Sequence, residues 1–230
     1  PMSTFSVLIP AAGSGTRLGA DRPKQYLPLL GTPVLLHTLA VFDAIEDCAS
    51  VIIASDDPST VHALLATRGW RVPVQVVPGG KRRQDSVANA LAALPDDDSI
   101  VLIHDAARPC VEAEHVRAVV EAVRRHGAAL LAIPARDTIK HVEDDVVRNT
   151  VPRSALWLAQ TPQGATAARL REAFAHALAQ DIEATDDVEL LERIGVPVHV
   201  VRGSAGNLKI TEALDLVLAE AILRAQGRTS

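Results

Sequence analysis

Phe5-Ser-Val-Leu-Ile-Pro-Ala-Ala-Gly-Ser-Gly-Thr-Arg-Leu-Gly-Ala-Asp-Arg-Pro-Lys-Gln25 sets the architecture of the chain. Its apolar run Val7-Leu8-Ile9 reads as a buried strand. The strand stops at Pro10, which has no N–H to pass on. Two small residues, Ala11 and Ala12, lead into Gly13-Ser14-Gly15, and Gly19 follows. Glycines let a ligand approach the main chain, and successive amides in such a loop form an anion-binding concavity. Arg17 and Lys24 add fixed positive charge. A strand feeding a glycine loop with two cations suits a nucleoside triphosphate. A dinucleotide fingerprint would need its third glycine at position 18, which is Leu18. No Gly-Lys-Ser/Thr follows, so a Walker loop is excluded.

Outward from this loop the pattern alternates. A helix is expected from Pro33 to Phe42, with Thr32 as its cap. Val51–Ala54 reads as a strand, Ser59–Thr67 as a short helix and Val74–Val77 as a third strand. Arg83–Ala93 reads as a helix, with Val87, Ala90, Leu91 and Leu94 on one face. Ile100–Ile103 is apolar throughout and therefore central. A helix over Ala113–His126, ended by Gly127, precedes a strand over Ala128–Ile133. Helices over Ala165–Ala179 and Asp186–Ile194, a strand over Pro197–Val201 and a closing helix over Thr211–Ala225 complete the pattern. The alternation predicts an α/β fold: a Rossmann-like, mostly parallel sheet with helices on both faces.

The rhythm breaks between Pro134 and Pro162. Thr138-Ile-Lys-His-Val and Val146-Val-Arg-Asn-Thr-Val alternate like a hairpin around Glu143-Asp144-Asp145. A projecting β-arm over about residues 136–160 is expected, in a single domain of 230 residues. A two-stranded arm has no core of its own, so it needs a partner surface, naturally a second copy of the chain. The competing reading is a hairpin folded back on its own domain.

Composition narrows the function. The net charge of −5 and the 3% aromatic content argue against nucleic acid as a partner and against a base-stacking platform. No apolar run is long enough to cross a membrane. Cys48 and Cys110 lack metal-type spacing and fit a reducing cytoplasm.

Ligands of doubly wound sheets collect beyond the carboxyl ends of the strands. Segments there include Gly79-Gly80-Lys81-Arg82-Arg83-Gln84-Asp85-Ser86, which is otherwise a solvated basic turn. His104-Asp105-Ala106-Ala107-Arg108-Pro109 ends the central strand. Asp105 is placed to hold Mg²⁺, which takes carboxylate and phosphate oxygens together, and Arg108 offers a planar fork for phosphate. The alternative is an Asp–Arg pair closing a turn. Thr138 opens the arm and Arg153 lies on its return. Lys209, in Asn207-Leu208-Lys209-Ile210-Thr211, is otherwise a surface lysine before a helix.

Ala11-Ala12-Gly13-Ser14-Gly15-Thr16-Arg17-Leu18-Gly19 with Pro23-Lys24-Gln25-Tyr26-Leu27 resembles the signature of nucleotidyltransferases acting on sugar or polyol phosphates. Within them the chain is similar to the 2-C-methyl-D-erythritol 4-phosphate cytidylyltransferases of the non-mevalonate isoprenoid pathway, in five ordered segments from Val7 to Thr211. The resemblance implies transfer of CMP from CTP to that polyol phosphate, with Mg²⁺ as cofactor and a homodimer joined through the arm. It implies nucleotide contacts at Ala11, Ala12, Gly13, Ser14, Gly15, Gly80, Ser86 and Asp105. It implies substrate contacts at Asp105, Arg108, Thr138, Arg153 and Lys209, and metal at Asp105. Arg17, Lys24, Arg153 and Lys209 are the implied catalytic cations. The chain departs from the family pattern at Lys81 and Gly206, where acidic residues are common. Two other readings compete: a cytidylyltransferase for another polyol phosphate, such as ribitol 5-phosphate, and a regulatory nucleotide-binding module without catalysis.

Overall fold

The computed structural model describes residues 4–13, 23–95, 97 and 99–228. In chain order the first elements are β1 (Phe5–Pro10), a short 3-10 turn (Lys24–Tyr26), β2 (Pro28–Leu29), β3 (Thr32–Pro33) and α1 (Val34–Asp43). Then come β4 (Cys48–Ser55), α2 (Pro58–Leu65), β5 (Val74–Pro78), α3 (Arg83–Ala92), β6 (Ile100–Ile103), α4 (Ala113–His126) and β7 (Ala128–Pro134). The last are β8 (Ile139–Glu143), β9 (Val146–Val151), β10 (Trp157–Thr166), α5 (Ala167–Ala179), α6 (Asp187–Arg193), β11 (His199–Arg202) and α7 (Ala213–Ala225).

Among the described residues the main sheet has seven strands, in the order β11-β7-β10-β6-β1-β4-β5. Strand β1 pairs in parallel with β4 and β6, β4 with β5, and β7 with β11. Only β10 runs antiparallel among these described strands, between β6 and β7. The alternation of β1 divides the core. Val7 and Ile9 pack with Leu35, Leu39 and Phe42 of α1 and with the valine stripe of α4. Leu8 faces the other layer, with Val87 and Leu91 of α3 and Leu170 of α5. Both faces are covered, as the continuous apolar strands require.

The α4 stripe is Val116, Val119, Val120 and Val123, the spacing of one helical face. The helix stops at Gly127, whose φ of 89° is a left-handed cap that a side chain resists. A smaller apolar cluster joins Ala107 and Cys110, beside Arg108, to Ile210 and to Ala219 and Leu223 of α7. It seats the turn after β6 against the segment carrying Lys209.

Three expectations need correction. Thr32 lies in β3, and Pro33 precedes α1 with no side-chain cap. The expected helix at Ala165 begins only at Ala167, because Ala165 and Thr166 are the end of β10. Strand β10 itself was not expected, since Pro162 and Gly164 read against a central strand. The sheet accommodates the proline where the β10–β7 register shifts, between Ala159 and Gln163. The β8–β9 hairpin pairs as a sheet of its own and is largely exposed, and by Trp157 the chain is already in the main sheet. Among the described residues no helix is long and apolar enough to cross a membrane.

Candidate active site

The residues after β1 and β5 form one wall. The Ala11 N–H donates to Ala54 O at 2.7 Å, and the Gln25 amide donates to Ala11 O at 2.6 Å. Gln25 thus ties the start of the loop to the segment that carries Lys24. A Cβ on Gly79 would lie 2.4 Å from Ala12 Cβ, so these two turns touch and only glycine fits there. Next to it, the Gly80 N–H donates to Ser86 Oγ at 2.9 Å, and the Ser86 hydroxyl donates to Arg82 O at 3.2 Å. Ser86 is fully buried and shapes the Gly79–Gly80 turn from beneath. Ser14, Gly15 and Arg17 lie outside the described residues.

Asp105 is the centre of charge. One of its oxygens accepts from Arg83 Nε at 3.1 Å. The other lies 2.9 Å from Lys209 Nζ and 3.4 Å from Arg108 Nε. Burial would raise the Asp105 pKa, but the charges of Arg83, Lys209 and Arg108 outweigh it and hold the carboxyl far below the usual range. Arg83 also forks onto Asp187, at 2.9 and 2.7 Å. Among the described residues Arg83, Arg108 and Lys209 face Asp105, Asp187 and, on the rim of the same cleft, Asp186. The main chain keeps the cations in place. Arg108 donates to Asn207 O at 2.7 Å, and Ile210 N–H donates to Ala107 O at 2.8 Å. A cleft of about 250 Å³ opens over Arg83, Asp105, Arg108, Gln160, Thr161 and Lys209.

His104 anchors Asp105 from behind. The His104 Nε2–Arg108 O contact is 3.1 Å, so Nε2 carries the proton and Nδ1 is the acceptor. Thr161 Oγ1 donates to Nδ1 at 3.1 Å and accepts the Asp105 N–H at 3.0 Å. The irregular part of β10 supplies Thr161, as bulges beside active sites commonly do. Burial lowers the His104 pKa to about 4 from its ordinary 6.5. The unfolded chain then binds the extra proton first, so stability is full above about pH 6.5 and drains as pH falls toward about 4. Thermal melts are expected to drop over this window, and His104→Gln is expected to flatten the profile.

The remaining predicted residues sit apart. Thr138 is exposed just ahead of β8. Arg153 is exposed at the base of the arm and donates to the Arg136 carbonyl. Lys24 lies in the 3-10 turn, and its charge helps lower the pKa of Asp215 in the first turn of α7. Burial alone would raise Asp215, and hydrogen bonds from Thr211 outweigh it. The structure therefore brings Asp105, Arg108 and Lys209 together, with Ala12 against the neighbouring glycine turn.

The sequence reading missed Arg83, Thr161 and Asp187. Arg83 counted as part of a solvated basic turn, but it lies four residues before Val87, on the buried face of α3. Asp187 counted only as part of the helix expected over Asp186–Ile194, but it lies three and four residues before Leu190 and Leu191, and it is 3% exposed. Helical spacing was the available signal for both.

Comparison with known proteins places the chain. A family model described as 2-C-methyl-D-erythritol 4-phosphate cytidylyltransferase matches residues 5–225. The protein of that name from Symbiobacterium thermophilum is 45% identical, over 97% of this chain and 94% of its own. The one from Bacillus licheniformis is 39% identical over 97% of both chains. The crystal structure of the Thermus thermophilus protein of that name superposes with a TM-score of 0.80 at 40% identity, covering 97% of this chain and all of the other. A 4-diphosphocytidyl-2C-methyl-D-erythritol synthase from Anaerococcus prevotii gives 0.84 at 30% identity, covering 96% of each.

Proposed function

Because the chain belongs to the 2-C-methyl-D-erythritol 4-phosphate cytidylyltransferase family, we propose that the cationic cleft around Asp105 is where its reaction takes place. The enzyme transfers CMP from CTP to 2-C-methyl-D-erythritol 4-phosphate, giving a CDP-alcohol for isoprenoid synthesis and releasing pyrophosphate. The observation that carries the assignment of the site is the pairing of Asp105 with Arg108 and Lys209. Both cations rest on an internal carboxylate and can exchange it for a substrate phosphate.

The chemistry is an electrostatic problem. Two anions must meet, and a phosphate oxygen of the polyol phosphate must attack the α-phosphorus in line with the departing pyrophosphate. Fixed positive charge and positioning supply most of the rate. The loop amides from Ala12 to Gly15, with Arg17 and Lys24, grip the triphosphate and stabilise charge moving onto the leaving group, while the expected contact at Ala11 is ruled out for its N–H, which Ala54 O takes. Gly80 and the turn shaped by Ser86 accept the cytidine. Arg108, Lys209, Thr138 and Arg153 hold the polyol phosphate.

The donor set around Asp105 suits Mg²⁺ that arrives with the nucleotide. Magnesium binds one or two carboxylates plus substrate phosphates and keeps several waters. Asp105 is such a carboxylate, held ionised by its neighbours. Arg83, Arg108 and Lys209 already share this carboxylate, which disfavours a bare ion, and a triphosphate would draw Arg108 and Lys209 off it. When bound, the ion polarises the phosphate oxygens; the protein's share is to keep Asp105 fixed through His104 and Thr161 and to present an oxygen.

Thr138 and Arg153 act from the arm of a second subunit in this reading. Val142, Val146 and Val147 on the arm are about half exposed, apolar surface that a partner would cover. The test is subunit mixing. Inactive Arg153→Ala and Lys209→Ala enzymes, unfolded and refolded together, are expected to regain about a quarter of wild-type pyrophosphate release, since a mixed dimer then contains one intact site. An arm acting on its own subunit gives no recovery. Turnover with ribitol 5-phosphate tests the polyol assignment. The buried free thiols of Cys48 and Cys110 support a cytoplasmic location.

A further inference from the structure

Asp187 is buried against the Arg83 guanidinium and is unused by the reaction as described above. A buried ion pair is a weak way to stabilise a fold, because desolvation cancels much of the attraction. The way this pair is built points elsewhere. Both terminal nitrogens of Arg83 go to Asp187, at 2.9 and 2.7 Å. Only Nε remains for Asp105, at 3.1 Å on Oδ1. Asp187 has little freedom to follow Arg83 elsewhere. Its N–H donates to the buried side-chain oxygen of Gln163 at 3.1 Å. The Gln163 amide in turn donates to Gln160 O at 3.3 Å and to Asp186 Oδ2 at 3.1 Å. Strand β10 and helix α6 therefore fix the carboxylate that holds the guanidinium.

An arginine fork matches a carboxylate bidentately wherever it can reach one. Arg83 already touches Asp105 and lacks only a turn of its fork to take both oxygens. Arg108 and Lys209 differ, because an incoming phosphate draws them off Asp105. For Arg83 the competitor already in place is Asp187, which takes both terminal nitrogens. We propose that Asp187 is a positioning residue that occupies the Arg83 fork, so that Asp105 keeps an exchangeable oxygen for the magnesium-bound triphosphate. Without it, Arg83 closes on Asp105 and the ion must displace a bidentate pair. The inference rests on the assignment of Asp105 as the metal ligand.

The test reads binding by titration calorimetry, with CTP added in excess Mg²⁺ and again in EDTA. Wild-type protein is expected to bind more tightly with Mg²⁺; equal binding in both would overturn the Asp105 assignment itself. Asp187→Asn is expected to weaken binding in Mg²⁺ by about 10- to 100-fold, the worth of one charge-assisted bond, and to leave binding in EDTA nearly unchanged. Adding Arg83→Gln to Asp187→Asn is expected to restore most of the magnesium-dependent affinity, because the closing fork is gone. Arg83→Gln alone is expected to bind CTP with a ratio of affinities in Mg²⁺ and in EDTA no lower than wild type, whatever its absolute affinity, and this ratio decides the matter should Asp187→Asn fail to fold. A brace that merely ties α3 to α6 would weaken binding equally with and without Mg²⁺, and the double variant would be no better than the single ones. Either result, or wild-type binding by Asp187→Asn, overturns the role proposed for Asp187 while leaving that of Asp105 standing.

Discussion

Lys209→Ala is expected to lower turnover by about 10²- to 10³-fold, the loss typical of removing one preorganised charge at a reacting phosphate. The lysine is 37% exposed and its ammonium lies 2.9 Å from Asp105. Its neighbours fold without it: Ile210 is buried and bonded to Ala107, and Thr211 donates to Asp215 through both N–H and hydroxyl. The melting temperature is therefore expected to stay within about 3 °C of wild type, the shift of a change of about 1 kcal/mol or less. With Lys209 assigned to the polyol phosphate in the proposed site, the KM for that substrate should rise more than the KM for CTP. Pyrophosphate release at varied concentrations of each substrate separates the two. Near-normal turnover in a folded variant would remove Lys209 from the site.

Asp105→Asn has a different signature. It removes the shared counter-ion of Arg83, Arg108 and Lys209, leaving Arg83 on Asp187 and the other two cations without a carboxylate partner here. Turnover is expected to fall by at least about 10³-fold, because the metal loses its carboxylate and the cations lose their alignment. The freed cations should nevertheless bind anions more tightly. Inorganic pyrophosphate or CTP in EDTA is expected to show higher affinity than with wild type, and either should recover part of the thermal stability that the unpaired charges cost. A variant that loses turnover and anion affinity together would mean that Asp105 organises the cations rather than competing with substrates for them.

The order of strands and helices was legible because it rests on local pattern. Val7-Leu8-Ile9, Ile100–Ile103 and the α4 stripe each declare their period, and the sheet follows from the alternation. Asp105 and Arg108 stood out because they follow a strand end, where such sheets bind ligands, whereas Lys209 reads as a surface lysine before a helix and was picked out only by its resemblance to the family motif. Strand β10 was hidden for a physical reason. Its glutamines, Pro162 and Gly164 serve the site and a register shift rather than propensity. Arg83 and Asp187 were obscured because each counts as a surface charge until its partner, 104 residues away, is known.

The contact between Gly79 and Ala12 bears on redesign. The two turns meet at the Ala12 methyl, with the Asp56 carboxylate beside it, and leave no room for a side chain on Gly79. Widening this jaw for a larger nucleobase would require moving two strand ends at once. Attempts to change nucleotide preference are better aimed at the rim than at the hinge of these turns.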